Sequence, residues 1–141
     1  MSTNKILLAG LAGGVTAFIA GFVIYGLALM PFFEANTSEA GLKLAKVPMV
    51  WWAMVAGNIV WGMFLAYVFG KWANISTFPS GAKAGALIGF LVALSVDLMM
   101  FSTMDHSNLT ATLVDPLANA ALSAIVGGVV GVVLGMGGEA K

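Results

Sequence analysis

Asp97 is the only acidic residue in the apolar stretch 81–104, which is long enough to cross a membrane. A carboxylate within hydrocarbon is costly and is therefore a candidate functional group. In its neutral form it could also donate a hydrogen bond to an amide or hydroxyl on a neighbouring helix. Asp97 is thus either a proton- or cation-binding group in a polar cavity or a hydrogen-bonded strut between helices.

Other polar side chains also fall within apolar stretches, among them Tyr25, Asn58 and Asn119. An asparagine inside a membrane most often joins helices through hydrogen bonds worth about 0.6–2 kcal/mol. We predict that these three residues and Asp97 lie in the outer half of the membrane, where they need one another or water. Such a group would form a polar cavity that opens outward.

The only histidine, His106, follows Asp105 and the methionines at positions 99, 100 and 104. Thioether and imidazole groups can bind Cu(I), and a histidine beside acids could sense pH at the outer mouth of the cavity. Methionine also fills irregular cores, and a histidine at a helix end is usually solvated. Since no methionine motif repeats, we predict no metal site.

Motifs of catalysis and cofactor binding are absent from the sequence. There is no nucleophile elbow, zinc-protease motif, phosphate loop or haem-attachment motif, and one histidine cannot provide bis-histidine haem ligation. Cysteine is also absent, which removes disulfides, iron–sulfur clusters and thiol chemistry. We therefore predict that the protein is not an enzyme and holds no cofactor.

The elements that must position these residues are membrane helices. The chain has 141 residues, of which 60% are hydrophobic and 9% charged, whereas soluble domains contain about 25% charged residues. Each apolar stretch approaches the roughly 20 residues that a bilayer requires, and four strands are too few to close a membrane barrel. We predict one all-α domain, a bundle of four membrane-spanning helices at about 6–30, 47–70, 81–104 and 116–136.

The start of the fourth helix has two possible positions. Pro116 suits a first helical turn, where its missing N–H costs nothing. Alternatively the helix begins as early as Leu109, which would place Pro116 inside it and Asp115 inside the membrane.

Charge predicts orientation and excludes one class of partner. The formal net charge is zero and arginine is absent, so there is no basic surface for nucleic acid. An even number of spans puts both termini on one side, and that side would hold four of the six lysines, Lys5, Lys71, Lys83 and Lys141, against Lys43 and Lys46 on the other. The excess predicts that both termini are cytoplasmic.

Small residues recur at every fourth position along the predicted helices. They allow helix backbones to approach, so we predict packing contacts at Gly13, Gly21, Gly62, Gly85, Gly89, Gly127 and Gly131. The first and third spans also align, with Gly13 on Gly85 and Asn36 on Asn108, as do the second and fourth. This alignment indicates either two parallel repeated hairpins or the chance similarity of glycine-rich helices. Both alternatives predict tight packing in the inner half of the membrane.

Two segments carry a resemblance to a known family. The first span contains GGVTAFIAGFVIYGLALMPFFEA, in which the step Tyr25-Gly26 precedes a proline-aromatic exit, and the fourth contains a row of small residues over 119–135. The sequence resembles, over its whole length, a family of small bacterial four-helix inner-membrane proteins of unknown function. The resemblance implies a bacterial inner-membrane location and no established activity.

Two classes of function remain open. In the first, the chain is an accessory or structural subunit in the lipid bilayer, packing through its glycine rows against copies of itself, as a homo-oligomer, or against a larger membrane complex. In the second, it is a small channel, carrier or sensor that uses the polar cavity around Asp97. We favour the first, because four short helices with small loops enclose a pathway poorly.

Overall fold

A computed structural model describes residues 1–137, and this part of the chain is helical with no β-strand. Four helices in it are long and apolar enough to cross a membrane: Thr3–Ala28, Trp51–Ala73, Phe78–Thr103 and Leu109–Gly135. The predicted all-α, four-helix membrane bundle is therefore confirmed, and the chain is a multi-pass membrane protein. The described residues do not include Glu139 or Lys141. Lys141 is one of the four lysines counted on the side of the termini.

The first and second spans each end in π-helical turns. The elements in order are α1 (Thr3–Gly21) with π-helical turns Phe22–Ala28, α2 (Met30–Ala35), α3 (Glu39–Lys43), α4 (Trp51–Tyr67) with π-helical turns Val68–Ala73, α5 (Phe78–Thr103) and α6 (Leu109–Gly135). The second span begins at Trp51 rather than at position 47, so Pro48 lies in the preceding loop.

The fourth span begins at Leu109 rather than at Pro116, so the later of its two predicted starts is wrong. Asn108 caps it, because its side-chain oxygen accepts a hydrogen bond of 2.9 Å from the amide of Ala111. The main-chain oxygen of Asn108 also accepts a 2.9 Å hydrogen bond from the hydroxyl of Thr112. Pro116 is thus inside the helix and buried, and Asp115 belongs to the membrane span.

Helix α6 is the centre of the bundle. It packs along α5, against α1 and more lightly against α4, while α1 also packs along α4. In an apolar 18-residue window of α6, 50% of the residues are buried, compared with 17% in the corresponding window of α5. Helix α5 is therefore peripheral. If a pseudo-twofold axis related the two hairpins, the contact between α1 and α6 would have an equivalent between α5 and α4. No comparable contact exists there among the described residues, so duplication stays a prediction.

The apolar core lies between α1, the second span and α6. Its largest fully buried side chains belong to Leu65, Phe69, Val126, Val130 and Leu134. Smaller residues of α1, such as Ala9 and Ala17, bring that helix close to the other two. No residue of α5 belongs to this cluster among the residues described.

Glycines lie where the paired helices come closest. A methyl group added at Gly85 would overlap the carbonyl oxygen of Ser123 and lie 3.1 Å from the Cα of Gly127, and one at Gly13 would lie 3.3 Å from the Cα of Gly62. The same interfaces bring Gly89 against Ser123, Gly131 against Thr77, and Gly62 against the backbone of Gly10 and Gly14. These contacts occupy the half of the bundle nearer the amino terminus.

Gly21 does not make the close contact that we predicted. A methyl group there would meet only the Cδ2 of Leu122, at an ordinary 3.9 Å. The prediction was wrong because a cavity, not a second backbone, lies beside Gly21. The bundle thus loosens toward the opposite end, which we call the loop end because it carries the connections 29–50 and 104–108.

Two short backbone hydrogen bonds join the connections at the loop end. Thr37 and Ser107 form an isolated antiparallel β-bridge. It is flanked by the amide of Ser38 donating to the oxygen of His106 at 2.9 Å and the amide of Asn108 donating to that of Asn36 at 3.1 Å. The side-chain amide of Asn108 also donates to Oδ1 of Asn36 at 2.6 Å. These bonds attach the entrance of α6 to the exit of the first span.

The double substitution Thr37→Cys/Ser107→Cys is expected to form an intramolecular disulfide under mild oxidation. The bridge is of the non-hydrogen-bonded kind, with Cα atoms about 4.5 Å apart, which falls in the range of about 4.4–6.8 Å that disulfides span. Because the chain has no cysteine of its own, mass analysis after alkylation reports the bond directly. Each single variant serves as the control, and a double variant that stays reduced would contradict this pairing of the loops.

Candidate functional site

Two cavities lie at the loop end of the bundle, and Asp115 lines both. The smaller one, of about 260 Å³, is the acidic cavity, which is lined by Phe33, Thr37, Asp97, Met100, Phe101, His106, Ser107, Ala111, Thr112 and Asp115. The larger one, of about 650 Å³, is the aromatic cavity, which is lined by Ala17, Phe18, Gly21, Phe22, Tyr25, Gly26, Met30, Met49, Trp51, Met54, Asn58, Asp115, Asn119 and Leu122.

The helix periodicity explains why two acids meet in the acidic cavity. Asp97 continues at i+4 spacing the buried face of α5 formed by Gly85, Gly89 and Ala93, and that face packs on α6. Asp97 is therefore directed at α6, where Asp115 lies. Both side chains line the acidic cavity, so their carboxyl groups share one enclosed space.

The Asp97–Asp115 pair leaves one polar atom unsatisfied. Oδ2 of Asp97 is buried and has no hydrogen-bond donor. Two ionised carboxylates cannot satisfy each other, because each offers only acceptors. A proton or a cation held between the two groups would supply the missing interaction. Among residues 1–137, no three side chains of the His, Cys, Asp and Glu types gather in a metal-binding arrangement.

Tyr25 connects the acid pair to the aromatic cavity. Its hydroxyl donates to the main-chain oxygen of Asp115 at 3.3 Å and lies within reach of the side chains of Asp115 and Asn119. Asn119 lies one helical turn after Asp115, and Ser123 lies one turn after Asn119, so the three residues share a face of α6. The hydroxyl of Ser123 donates to Oδ1 of Asn119 at 3.1 Å.

The structure divides the predicted polar residues between the two cavities. Tyr25, Asn58 and Asn119 line the aromatic cavity together, whereas Asp97 and the half-buried His106 line the acidic cavity. They do not form the single cavity that we predicted, because Asp115 lies between the two groups.

Asn58 does not join two helices as its amide suggested. Its Nδ2 donates to the main-chain oxygen of Met54 at 2.8 Å, one turn earlier in the same helix. This local bond is available to any helical asparagine, and the cavity beside Asn58 leaves no helix opposite to compete for it. The prediction that Asn58 holds helices together is therefore wrong.

Asp115 is the functional candidate that sequence reasoning missed. It follows a polar stretch and precedes Pro116, which made it resemble a loop residue. The signal that could have found it was Asn108, a residue type favoured at the N-cap, ahead of a segment without glycine over 109–126.

No protein-family model, no curated protein and no solved structure matches this chain. The resemblance to small bacterial four-helix membrane proteins therefore stays a prediction. What the site does must be inferred from the chemistry of its own residues, chiefly Asp97, Asp115 and Tyr25.

Proposed function

We propose that the protein is a small carrier or sensor of the bacterial inner membrane that binds a proton or a small monovalent cation between Asp97 and Asp115. The observation that carries this proposal is the buried Oδ2 of Asp97, which faces a second acid and has no donor. Acids within membrane spans commonly mark ion or proton pathways. No catalytic step is part of the proposal.

The use of the glycines also supports a function at the cavities. Gly13, Gly62, Gly85 and Gly127 contact partner helices of the same chain. The rows of small residues spaced four apart are therefore used for packing within the chain, and fewer of them remain exposed for contact with other proteins. With both termini cytoplasmic, as the lysines predict, the acidic cavity would open on the outer side of the membrane.

Asp97→Asn is expected to abolish binding at the acid pair while the bundle stays assembled. The amide keeps the shape of the side chain but cannot take up a proton or carry the charge that holds a cation. Infrared spectroscopy of the protein with isotope-labelled aspartate would follow the carboxyl bands while pH or salt is changed. Flux into proteoliposomes with a pH-sensitive dye inside would separate a carrier from a sensor.

The matched control is Asp105→Asn, which removes an exposed aspartate outside both cavities. We expect it to lose only the bands of its own carboxyl group, to keep the other wild-type responses to pH and salt, and to leave the flux unchanged. Bands that are lost in Asp97→Asn but respond to neither pH nor salt in the wild type would contradict the proposal, as would a spectrum that Asp97→Asn leaves unchanged.

A second candidate function is that of an accessory subunit, and one observation favours it. Gly57 in α4 is exposed, and a methyl group added there would meet nothing within 4 Å. A small residue on an open helix face would suit a second copy of the chain or a partner helix. Mass measurement in mild detergent tests this candidate, since a stable partner would be released by Gly57→Leu but retained by Asp97→Asn.

A further inference from the structure

The polar groups that line the aromatic cavity include the carboxyl group of Asp115 and a free amide oxygen. Asn58 uses its Nδ2 on the main chain of Met54, which leaves its Oδ1 as an acceptor. The hydroxyl of Tyr25 is already donated to the main-chain oxygen of Asp115. Asp115 adds carboxylate oxygens, whereas Oδ1 of Asn119 already accepts from Ser123, and none of the described lining residues is a lysine. The polar part of the cavity therefore suits a positively charged group.

Aromatic rings and methionines make up much of the remaining wall. Phe18, Phe22, Tyr25 and Trp51 contribute rings, whose faces attract cations. Methionines such as Met54 are flexible and polarisable, so they adapt to ligands of different shape. A volume of about 650 Å³ falls within the roughly 300–1,000 Å³ of small-molecule sites.

We infer that the aromatic cavity binds a hydrophobic monovalent cation, such as a quaternary ammonium or phosphonium ion with aromatic or alkyl substituents. Its charge lies toward Asp115 and its substituents lie against the rings. An anion would face acceptors and a carboxylate with no lysine to pair with it. A neutral lipid chain would cover the apolar wall but leave the oxygens of Asn58 and Asp115 unpaired. The inference goes beyond the proposed function and rests on it only in sharing Asp115.

Tetraphenylphosphonium is a suitable probe, because tetraphenylborate has nearly the same size and shape but the opposite charge. Equilibrium dialysis of each labelled ion against the purified full chain in detergent would measure binding. We expect saturable binding of one phosphonium ion per chain. For the borate we expect only the uptake that the detergent itself shows.

Asp115→Asn and Trp51→Leu are each expected to raise the Kd for the phosphonium at least about tenfold, or ~1.4 kcal/mol. The matched controls are Asp105→Asn and Trp52→Leu. Trp52 is adjacent to Trp51 but 77% exposed and outside the cavity, so we expect both controls to bind as the wild type does. Trp51 lies at the mouth of the cavity and outside the core, so its replacement keeps the test meaningful if Asp115→Asn fails to fold.

Equal uptake of both ions, or equal losses from the Trp51 and Trp52 substitutions, would overturn the inference and indicate an apolar groove that lipid fills. Asp97→Asn separates this result from the proposed function, because Asp97 does not line the aromatic cavity. Phosphonium binding without any response of the aspartate bands would overturn the proposed function alone. A response of those bands without phosphonium binding would overturn only this inference.

Discussion

Replacing Gly85 with leucine is expected to separate α5 from α6 and to lower the free energy of unfolding by about 3 kcal/mol or more. The first added carbon would overlap the carbonyl oxygen of Ser123 and lie 3.1 Å from the Cα of Gly127. Both obstacles are backbone atoms, so no change of rotamer relieves the overlap and the helices must move apart. Helix α5 is especially sensitive, because α6 is its main packing partner.

Gly57→Leu is the matched control, since Gly57 also lies inside a membrane helix but has nothing within 4 Å of an added methyl group. Leucine favours the helix relative to glycine by somewhat less than the ~0.8–1 kcal/mol that separates alanine from glycine, and this intrinsic gain applies to both variants. We therefore expect the control to be as stable as the wild type or slightly more stable. Titration with a denaturing detergent, followed by tryptophan fluorescence and circular dichroism, would measure the difference.

Equal stability of the two leucine variants would show that small residues spaced four apart do not hold this bundle together. A fall for Gly57→Leu alone would be more informative still. It would indicate that the open face of α4 is covered in the membrane, as the accessory-subunit hypothesis requires.

The four spans could be predicted from the sequence because length and apolarity are properties of each segment alone. The start of α6 is less accessible to such reasoning. Pro116 favours a first turn, but membrane helices also tolerate an interior proline, and the cap formed by Asn108 shows that Pro116 is interior here. Because a start at Pro116 would place Asp115 outside the helix, Asp97 was the only member of the acid pair that was predicted as a site residue.

Periodicity identified which face of a helix carries the small residues, but it did not indicate whether a second helix or a cavity lies opposite that face. The row that contains Gly13 and Gly21 is regular, yet Gly13 meets the backbone of α4 and Gly21 borders a cavity. The π-helical turns Phe22–Ala28 follow directly after Gly21 and have no signature in the sequence that we recognised. The division of the polar residues into two cavities depends on the helix pairing and so could not be predicted from the sequence.

Replacing Asp97 with leucine is expected to stabilise the bundle by about 1–3 kcal/mol. An aspartate at the centre of a membrane helix costs about 2.5–3.5 kcal/mol, and Asp97 lies nearer the loop end than the centre. Its Oδ2 has no donor, and it shares the acidic cavity with another acid. Removing the carboxyl group therefore removes a desolvated group and breaks no conventional hydrogen bond. The same detergent titration as for Gly85→Leu measures the change.

Ser95→Leu is the control for a general gain in apolarity, since Ser95 is an exposed polar residue on the same helix and outside both cavities. We expect its gain to be smaller than that of Asp97→Leu. Asp97→Asn should lie between the wild type and Asp97→Leu, because its amide can donate to Asp115 but remains polar in hydrocarbon.

A loss of stability in Asp97→Leu would contradict this expectation and revive the strut interpretation. In that case a proton shared by Asp97 and Asp115 would act as a structural hydrogen bond that holds α5 on α6, and Asp97→Asn would retain most of the stability. A gain in stability together with loss of the infrared response would have the opposite meaning. The acid would then be kept in the membrane at an energetic cost, which is expected of a group that binds and releases something rather than one that holds helices together.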